Sequence, residues 1–143
     1  MNFFKTTLVI LSKGRGLYAC TDQINAEIKS WGVLEGMAYL FIPHTSASLI
    51  INESFDPSAQ RDLEVYLDRI APEGENWHAH TIEGRDDSPA HIRAMITHTS
   101  MTIPIDQGRL TLGTWQGVFL AEHRRRSHHR EILLRVLATD FLI

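Results

Sequence analysis

What most constrains the fold of this chain is the grouping of its apolar residues. They fall in short, β-rich segments closed off by turn residues, and helical spacing appears only briefly between them. Phe3 to Leu11 carries β-branched and aromatic residues and predicts a strand. Leu34 to Ile42, bounded by Gly36 and Pro43, predicts a buried strand, and Ala47 to Ile51 resumes extended structure after His44-Thr45-Ser46. Ser100 to Ile105 and Arg109 to Leu112 flank Asp106-Gln107-Gly108, a hairpin signal. Val118 to His123 and Ile132 to Leu137 read as a second antiparallel pair, joined across a basic stretch. Parallel strands need long crossovers, usually helical, and no βαβ alternation is present. The predicted fold class is α+β: one compact domain over residues 1–143, mainly antiparallel sheet or sandwich with a few helices.

Three helices fit between the strands. Asp22 is a candidate N-cap for the first, with Ile24, Ile28 and Trp31 on one face and Gly32 at its end. Asp56-Pro57 supplies an N-cap and a first-turn proline to the second. Leu63, Tyr66, Leu67 and Ile70 follow at helical spacing and are expected to pack on the sheet, until Pro72 stops the helix. Pro89 opens the third, through about Thr97, with Ile92 and Ile96 inward. Glu73 to Asp87 is polar and predicts a long loop, the kind of segment that often carries function.

Composition narrows the class of function. At 143 residues, 43% apolar and 22% charged, the chain is long enough to bury a core without staples. A net charge of −3 lacks the broad basic face of a general nucleic-acid binder. Cys20 is the lone cysteine, so no internal disulfide forms, as in a reducing compartment. The start, Met1-Asn2-Phe3-Phe4-Lys5, has no signal-peptide pattern, and no apolar run approaches the roughly 20 residues of a membrane span. The expectation is a cytoplasmic protein acting on a small molecule, with neither nucleic acid nor membrane as partner.

Eight histidines are the compositional excess. In extended chain His78 and His80 point the same way, so His-x-His can supply two ligands of one metal, with His91 or a carboxylate completing the set. Glu83, Asp86 and Asp87 stand nearby to ligate, to orient an imidazole or to act as base. Asp86 and Asp87 also suit the cap of the third helix. His44-Thr45-Ser46, with Asn52 and Glu53 after it, holds polar groups at a strand end, either as a site or as hydroxyl caps of a turn. Gly113 and Gly117 bracket Trp115 and Gln116, a bend that presents a ring for stacking and an amide for reading its edge, or a bulge around a core Trp. Arg124 to Arg130 reads as a solvated hairpin loop, with a phosphate contact from it or from Arg109 as the functional alternative.

Taken in order, these segments resemble the YjbQ family. The stretches that carry the resemblance are His44-Thr-Ser-Ala-Ser48, Asn52-Glu53 with Asp56-Pro57, and His80-x-x-Glu83-Gly84. Asp86-Asp87-x-Pro-x-His91-Ile92, Thr99-Ser100 and Gly108-Arg109-Leu110 follow, then Gly113-Thr-Trp-Gln-Gly117 and Glu122-His123-Arg124. The resemblance implies a compact α+β fold, a homotrimer with its site near a subunit boundary, and thiamine-phosphate synthase activity as a secondary function. That reaction joins an aminopyrimidine pyrophosphate to a thiazole phosphate and releases pyrophosphate. It also implies a site lined by residues matching His44, His80, Asp87 and His91. His78 lies outside the family pattern, which moves the metal set to His44, His80 and His91 around a divalent ion, zinc or magnesium. On this reading Glu53, Asp87 and Arg109 are the catalytic candidates, and Ser46, Asn52, Trp115 and Gln116 bind substrate. A metal-dependent hydrolase or lyase, with Glu53 or Asp87 as base, and a non-catalytic trimer that binds a metabolite are the alternatives. For a trimer, the apolar stretches Phe3 to Leu11 and Ile132 to Ile143 offer sheet surface that association would cover.

Overall fold

The computed structural model describes residues 1–142; Ile143, counted above in the C-terminal apolar stretch, lies outside them. Eight strands and three helices follow one another as β1 (Asn2–Leu11), β2 (Gly16–Ala19), α1 (Thr21–Ser30), β3 (Val33–Phe41), β4 (Ala47–Glu53), α2 (Pro57–Ile70), α3 (Asp87–Met95), β5 (Ser100–Asp106), β6 (Arg109–Leu110), β7 (Gln116–Glu122) and β8 (His129–Phe141). They make two antiparallel sheets, ordered β1-β8-β3-β5-β6 and β2-β7-β4. The expected α+β class, mainly antiparallel sheet or sandwich with a few helices, is the observed one.

Alternation along each strand decides which face is buried. In the larger sheet Leu8, Ile10, Ala38, Leu40, Ile103, Ile132, Leu134 and Val136 point inward, and they meet Leu49, Val118 and Leu120 of the smaller sheet. Phe3, Val9, Leu11, Tyr39 and Phe41 point outward and are exposed. The hairpin at Gln107-Gly108 has positive φ at both residues, 53° and 80°, as a two-residue primed turn requires.

Several expectations are corrected. Val118–His123 and Ile132–Leu137 are not partners: β7 sits between β2 and β4, whereas β8 sits between β1 and β3. The basic stretch between them crosses from one sheet to the other, and β2, too short and glycine-led to read as a strand, supplies the edge that β7 needed. Asp22 does not cap α1, which starts at Thr21 after Cys20 without a side-chain cap. In contrast, Asp56 does cap α2, its Oδ1 accepting from the Ser58 N–H at 2.9 Å. The α2 face packs less deeply than its spacing suggests: Leu63 and Leu67 are half-buried, and Tyr66 is 61% exposed. On α3 the inward residues are Asp87, Ala90, Arg93 and Ala94 rather than Ile92 and Ile96. Apolar periodicity misplaces that face because two of its buried members are charged.

Candidate functional site

The polar loop from residue 71 to 86 returns the chain to α3 beside the start of β4. Asp87, in the first turn of α3, is 1% exposed. A bare carboxylate at such depth is costly, and three neighbours surround it. Arg124, on the cross-over after β7, donates from Nη1 to Asp87 Oδ1 at 2.7 Å. Its Nε donates to Asp86 Oδ2 at 3.0 Å and its Nη2 to the Glu83 carbonyl at 2.9 Å. Burial disfavours the Arg124 cation, but Asp86, Asp87 and Glu83 outweigh it and hold the group above its ordinary pKa.

The other carboxylate oxygen faces two imidazoles. His80 Nε2 lies 2.6 Å from Asp87 Oδ2, and His91 Nε2 lies 3.2 Å from the same oxygen. His91 stands one helical turn after Asp87, which places both on one face. Its Nδ1 is 2.8 Å from the Thr45 carbonyl, which can only accept, so Nδ1 carries a proton. In the neutral ring, Nε2 then presents a lone pair toward a carboxylate. That juxtaposition is stable only with a positive charge between or on the two groups. Three carboxylates, Glu83, Asp86 and Asp87, face the Arg124 guanidinium here. Ligand atoms from His80, Asp87 and His91 all lie within 4.8 Å of one another, and both imidazoles reach solvent. Two histidines and one carboxylate, with a partner fixing a ring tautomer, fit the donor set of a three-ligand metal centre with open positions.

His44 stands apart from this group. It borders, with His91 and Thr45, an open cavity of about 390 Å³. Its Nε2 accepts from the Glu131 N–H at 2.9 Å, so its neutral ring carries hydrogen on Nδ1 and has no free lone pair. Burial and then Arg130 lower its pKa, which keeps it neutral. The three residues whose ligand atoms come together, and that could hold a metal, are therefore His80, Asp87 and His91, with a carboxylate in place of the third imidazole. His78 borders a small cavity with His80 but is absent from the set.

The other candidates lie elsewhere. Asn52, Glu53, Trp115 and Gln116 gather at the far end of the smaller sheet, where Glu53 pairs with Gln116, whereas Ala47 pairs with Glu122 at the near end. Seven strand residues separate the two ends by roughly 20 Å. Glu53 Oε2 accepts from the Phe55 and Asp56 N–H groups and shapes the entry to α2. Gln116 Oε1 accepts from Gly113 N–H, while Trp115 meets Phe55 edge-on. Gly117 lies beneath Ser54, whose Cβ a side chain there would strike. Arg109 is exposed in the β5–β6 hairpin, at the opposite end of the larger sheet from His44. Ser46 is buried and accepts from Arg130 Nη2 at 2.9 Å.

The loop read as solvated is the largest surprise. Arg124 and Arg130 are 6% and 5% exposed. Glu122 accepts from Arg130 at 2.6 and 2.8 Å, from Ser12 Oγ at 2.6 Å and from the Arg124 N–H at 3.1 Å. Burial pushes the Glu122 carboxyl upward, but these bonds outweigh it and leave it below its usual range. One signal was available: Arg130 shares strand parity with Ile132, Leu134 and Val136, which assigns it to the inner face.

Comparison with known proteins gives a consistent picture. A family model described as "UPF0047 protein YjbQ-like" matches residues 6–139. The UPF0047 protein sll1880 of Synechocystis is 48% identical over 129 residues, covering 90% of this chain and 88% of the relative. The UPF0047 protein YjbQ of Escherichia coli O157:H7 is 37% identical over 132 residues, covering 92% and 95%. Among solved structures, the conserved hypothetical protein TT1486 from Thermus thermophilus superposes with a TM-score of 0.83 at 32% identity, covering 92% of this chain and 99% of that one. A YjbQ/UPF0047 family protein from Clostridium acetobutylicum gives 0.80 at 33% identity, covering 94% and 99%.

Proposed function

Since the chain belongs to the YjbQ-like UPF0047 family, we propose that it is a metal-dependent enzyme acting on a small phosphorylated molecule at His80, Asp87 and His91. The observation that carries this reading is the pair of Nε2 atoms converging on one buried carboxylate oxygen, with the His91 tautomer set by Thr45. Imidazole donors favour zinc over magnesium, which prefers oxygen ligands and water. A bound divalent ion would supply Lewis-acid stabilisation of charge on a phosphoryl or leaving-group oxygen. The protein's own part is to hold the ligands. Arg124 anchors Asp87 through Oδ1 and leaves Oδ2 to the site. The cavity beside His44 and His91 gives a substrate room.

The reaction proposed is the thiamine-phosphate synthase type, with pyrophosphate leaving; metal-dependent hydrolysis or elimination uses the same ligands. Protein purified without an affinity tag is expected to carry about one zinc per chain and to release pyrophosphate from the two precursors. Zinc with no pyrophosphate release selects the hydrolase or lyase class, and absence of metal binding at saturating zinc refutes the reading.

A second proposal, a homotrimer, is supported by the outer face of the larger sheet. Phe3, Leu137 and Met37 are aligned across three strands, as are Thr7, Leu133 and Phe41. Exposed and half-buried apolar side chains on this face, interrupted by the Lys5–Arg135 pair, support an association face. Light scattering is expected to give three times 16.3 kDa, and Phe41→Asp to give the monomer. A wild-type monomer at micromolar concentration would rule the trimer out.

A further inference from the structure

The two imidazoles of the metal centre proposed above are not equally supported. In a neutral ring that offers Nε2 to a metal, Nδ1 carries the hydrogen. Ligating imidazoles regularly donate that hydrogen to a carboxylate, a carbonyl or water. His91 does so, its Nδ1 lying 2.8 Å from the Thr45 carbonyl. The His80 ring makes one hydrogen bond among the described residues, between Nε2 and Asp87, so its Nδ1 has no partner there. The His80 side chain is 52% exposed, and an acceptor from outside the chain has access to it.

His80 also borders a hollow of about 110 Å³ in the loop between α2 and α3, together with Gly74, His78 and Arg85. That volume exceeds the roughly 30 Å³ share of one water. Arg124 is held by Asp86 and Asp87, and Arg125 by Glu73, whereas Arg85 makes no ion pair or hydrogen bond among the described residues. Its guanidinium lies against Gly74, whose backbone is left-handed at φ 71°. A Cβ at that position would strike Arg85 Nη2, so the glycine gives the guanidinium its seat. The other cavity, beside His91, is bordered by no arginine or lysine. The cation that a phosphorylated substrate needs therefore stands on the His80 side.

Glu75 is the acid on the rim of the hollow, and its exposed carboxylate pairs with neither Arg85 nor His80. A guanidinium and an imidazole N–H are donors only, and they call for an acceptor with several oxygens. Guanidinium forks match phosphate in both geometry and charge. We propose that this hollow is the anion subsite of the metal centre, where a phosphoryl group of the substrate accepts from Arg85 and from the Nδ1–H of His80. The inference rests on the metal-centre reading above and adds the orientation of the substrate. Its phosphoryl end lies beside Arg85, and the cavity at Ala94 and Met95 is left to its uncharged part.

Two calorimetric titrations test this, zinc into chelator-stripped protein and then inorganic phosphate into the zinc-loaded form. Arg85→Gln is expected to bind zinc as the wild type does. It is expected to weaken phosphate about tenfold, as befits a charge-assisted bond kept partly in solvent. Arg61→Gln, an exposed arginine of α2 that borders neither cavity, is expected to change nothing. Glu75→Gln, which removes the acid on the rim, is expected to tighten phosphate. In the wild type, phosphate is expected to shift the nuclear magnetic resonance of the His80 Nδ1–H. Failure to take up zinc overturns the metal-centre reading and this inference with it. Zinc uptake with undiminished phosphate binding in Arg85→Gln, an equal loss in Arg61→Gln, weaker phosphate in Glu75→Gln, or a His80 resonance indifferent to phosphate overturns the inference alone.

Discussion

Asp87→Asn separates the two roles of the central carboxylate. Without metal, the substitution replaces a charged acceptor that serves Arg124, His80 and His91. Charge-assisted bonds contribute about 1.5–3 kcal/mol each. Arg124 keeps Asp86 and the Glu83 carbonyl, and the amide oxygen can still accept. The net loss expected in chelator is therefore on the order of 3 kcal/mol. With zinc at a hundred times its dissociation constant, the wild type gains about 2.7 kcal/mol. A chain of 143 residues unfolds with an entropy of roughly 0.3 kcal/mol/K, so that gain raises Tm by about 9 °C. A hundredfold weaker site retains only about 0.4 kcal/mol, or about 1 °C. Thermal melts of both proteins, in chelator and in zinc, read all four values. Equal zinc shifts in the two proteins, or no shift in either, would refute the assignment of Asp87 as a ligand.

Other expectations follow from the buried polar groups and the core. Glu122→Gln strips the counter-charge from buried Arg130 and is expected to cost about 3–5 kcal/mol in urea melts; a cost under 1 kcal/mol would mean the pair is solvated. Burial, then Arg93, lowers the His123 pKa from 6.5 to about 3. The unfolded state therefore binds the extra proton first, and stability falls as pH drops from about 6.5 toward 3, by up to about 1.4 kcal/mol per unit. His123→Leu should flatten that slope, and an unchanged slope excludes His123 as its source. Leu49→Ala, in the core, is expected to cost about 2–5 kcal/mol, whereas Tyr66→Ala on the exposed side of α2 should cost under 1 kcal/mol. Similar costs for the two would refute the layer order described here.

Much of this arrangement was legible along the chain, and what was hidden shares a cause. Strand faces could be read because alternation at Leu8, Ile10, Ile132 and Leu134 is a local property. Asp56-Pro57 announced α2 through chemistry confined to three residues. Sheet membership of β7 and β8 was not local, since each chooses partners more than 60 residues away. The site shows the same division. His80, Asp87 and His91 were recognisable as one polar segment, whereas Arg124, which makes the buried carboxylate tolerable, comes from 37 residues further on. Charged residues inside, Arg93 and Arg130 among them, defeated hydropathy because their compensation is three-dimensional.

The central position of β8 bears on how the chain acquires its shape during synthesis. β1 pairs with β8 from Asn2↔Ala138 to Leu11↔His129, and β3 pairs with the other edge of β8, so β1 and β3 are not hydrogen-bonded neighbours. Of the described elements β1 is made first, and the strand it needs is made last. At about 5–20 residues per second it waits several seconds or more with Leu8 and Ile10 exposed. The smaller sheet can close as soon as β7 is made, while the larger one can complete only with β8. A nascent chain stalled before residue 129 is thus expected to hold β2, β4 and β7 together while β1 remains open to protease and chaperone.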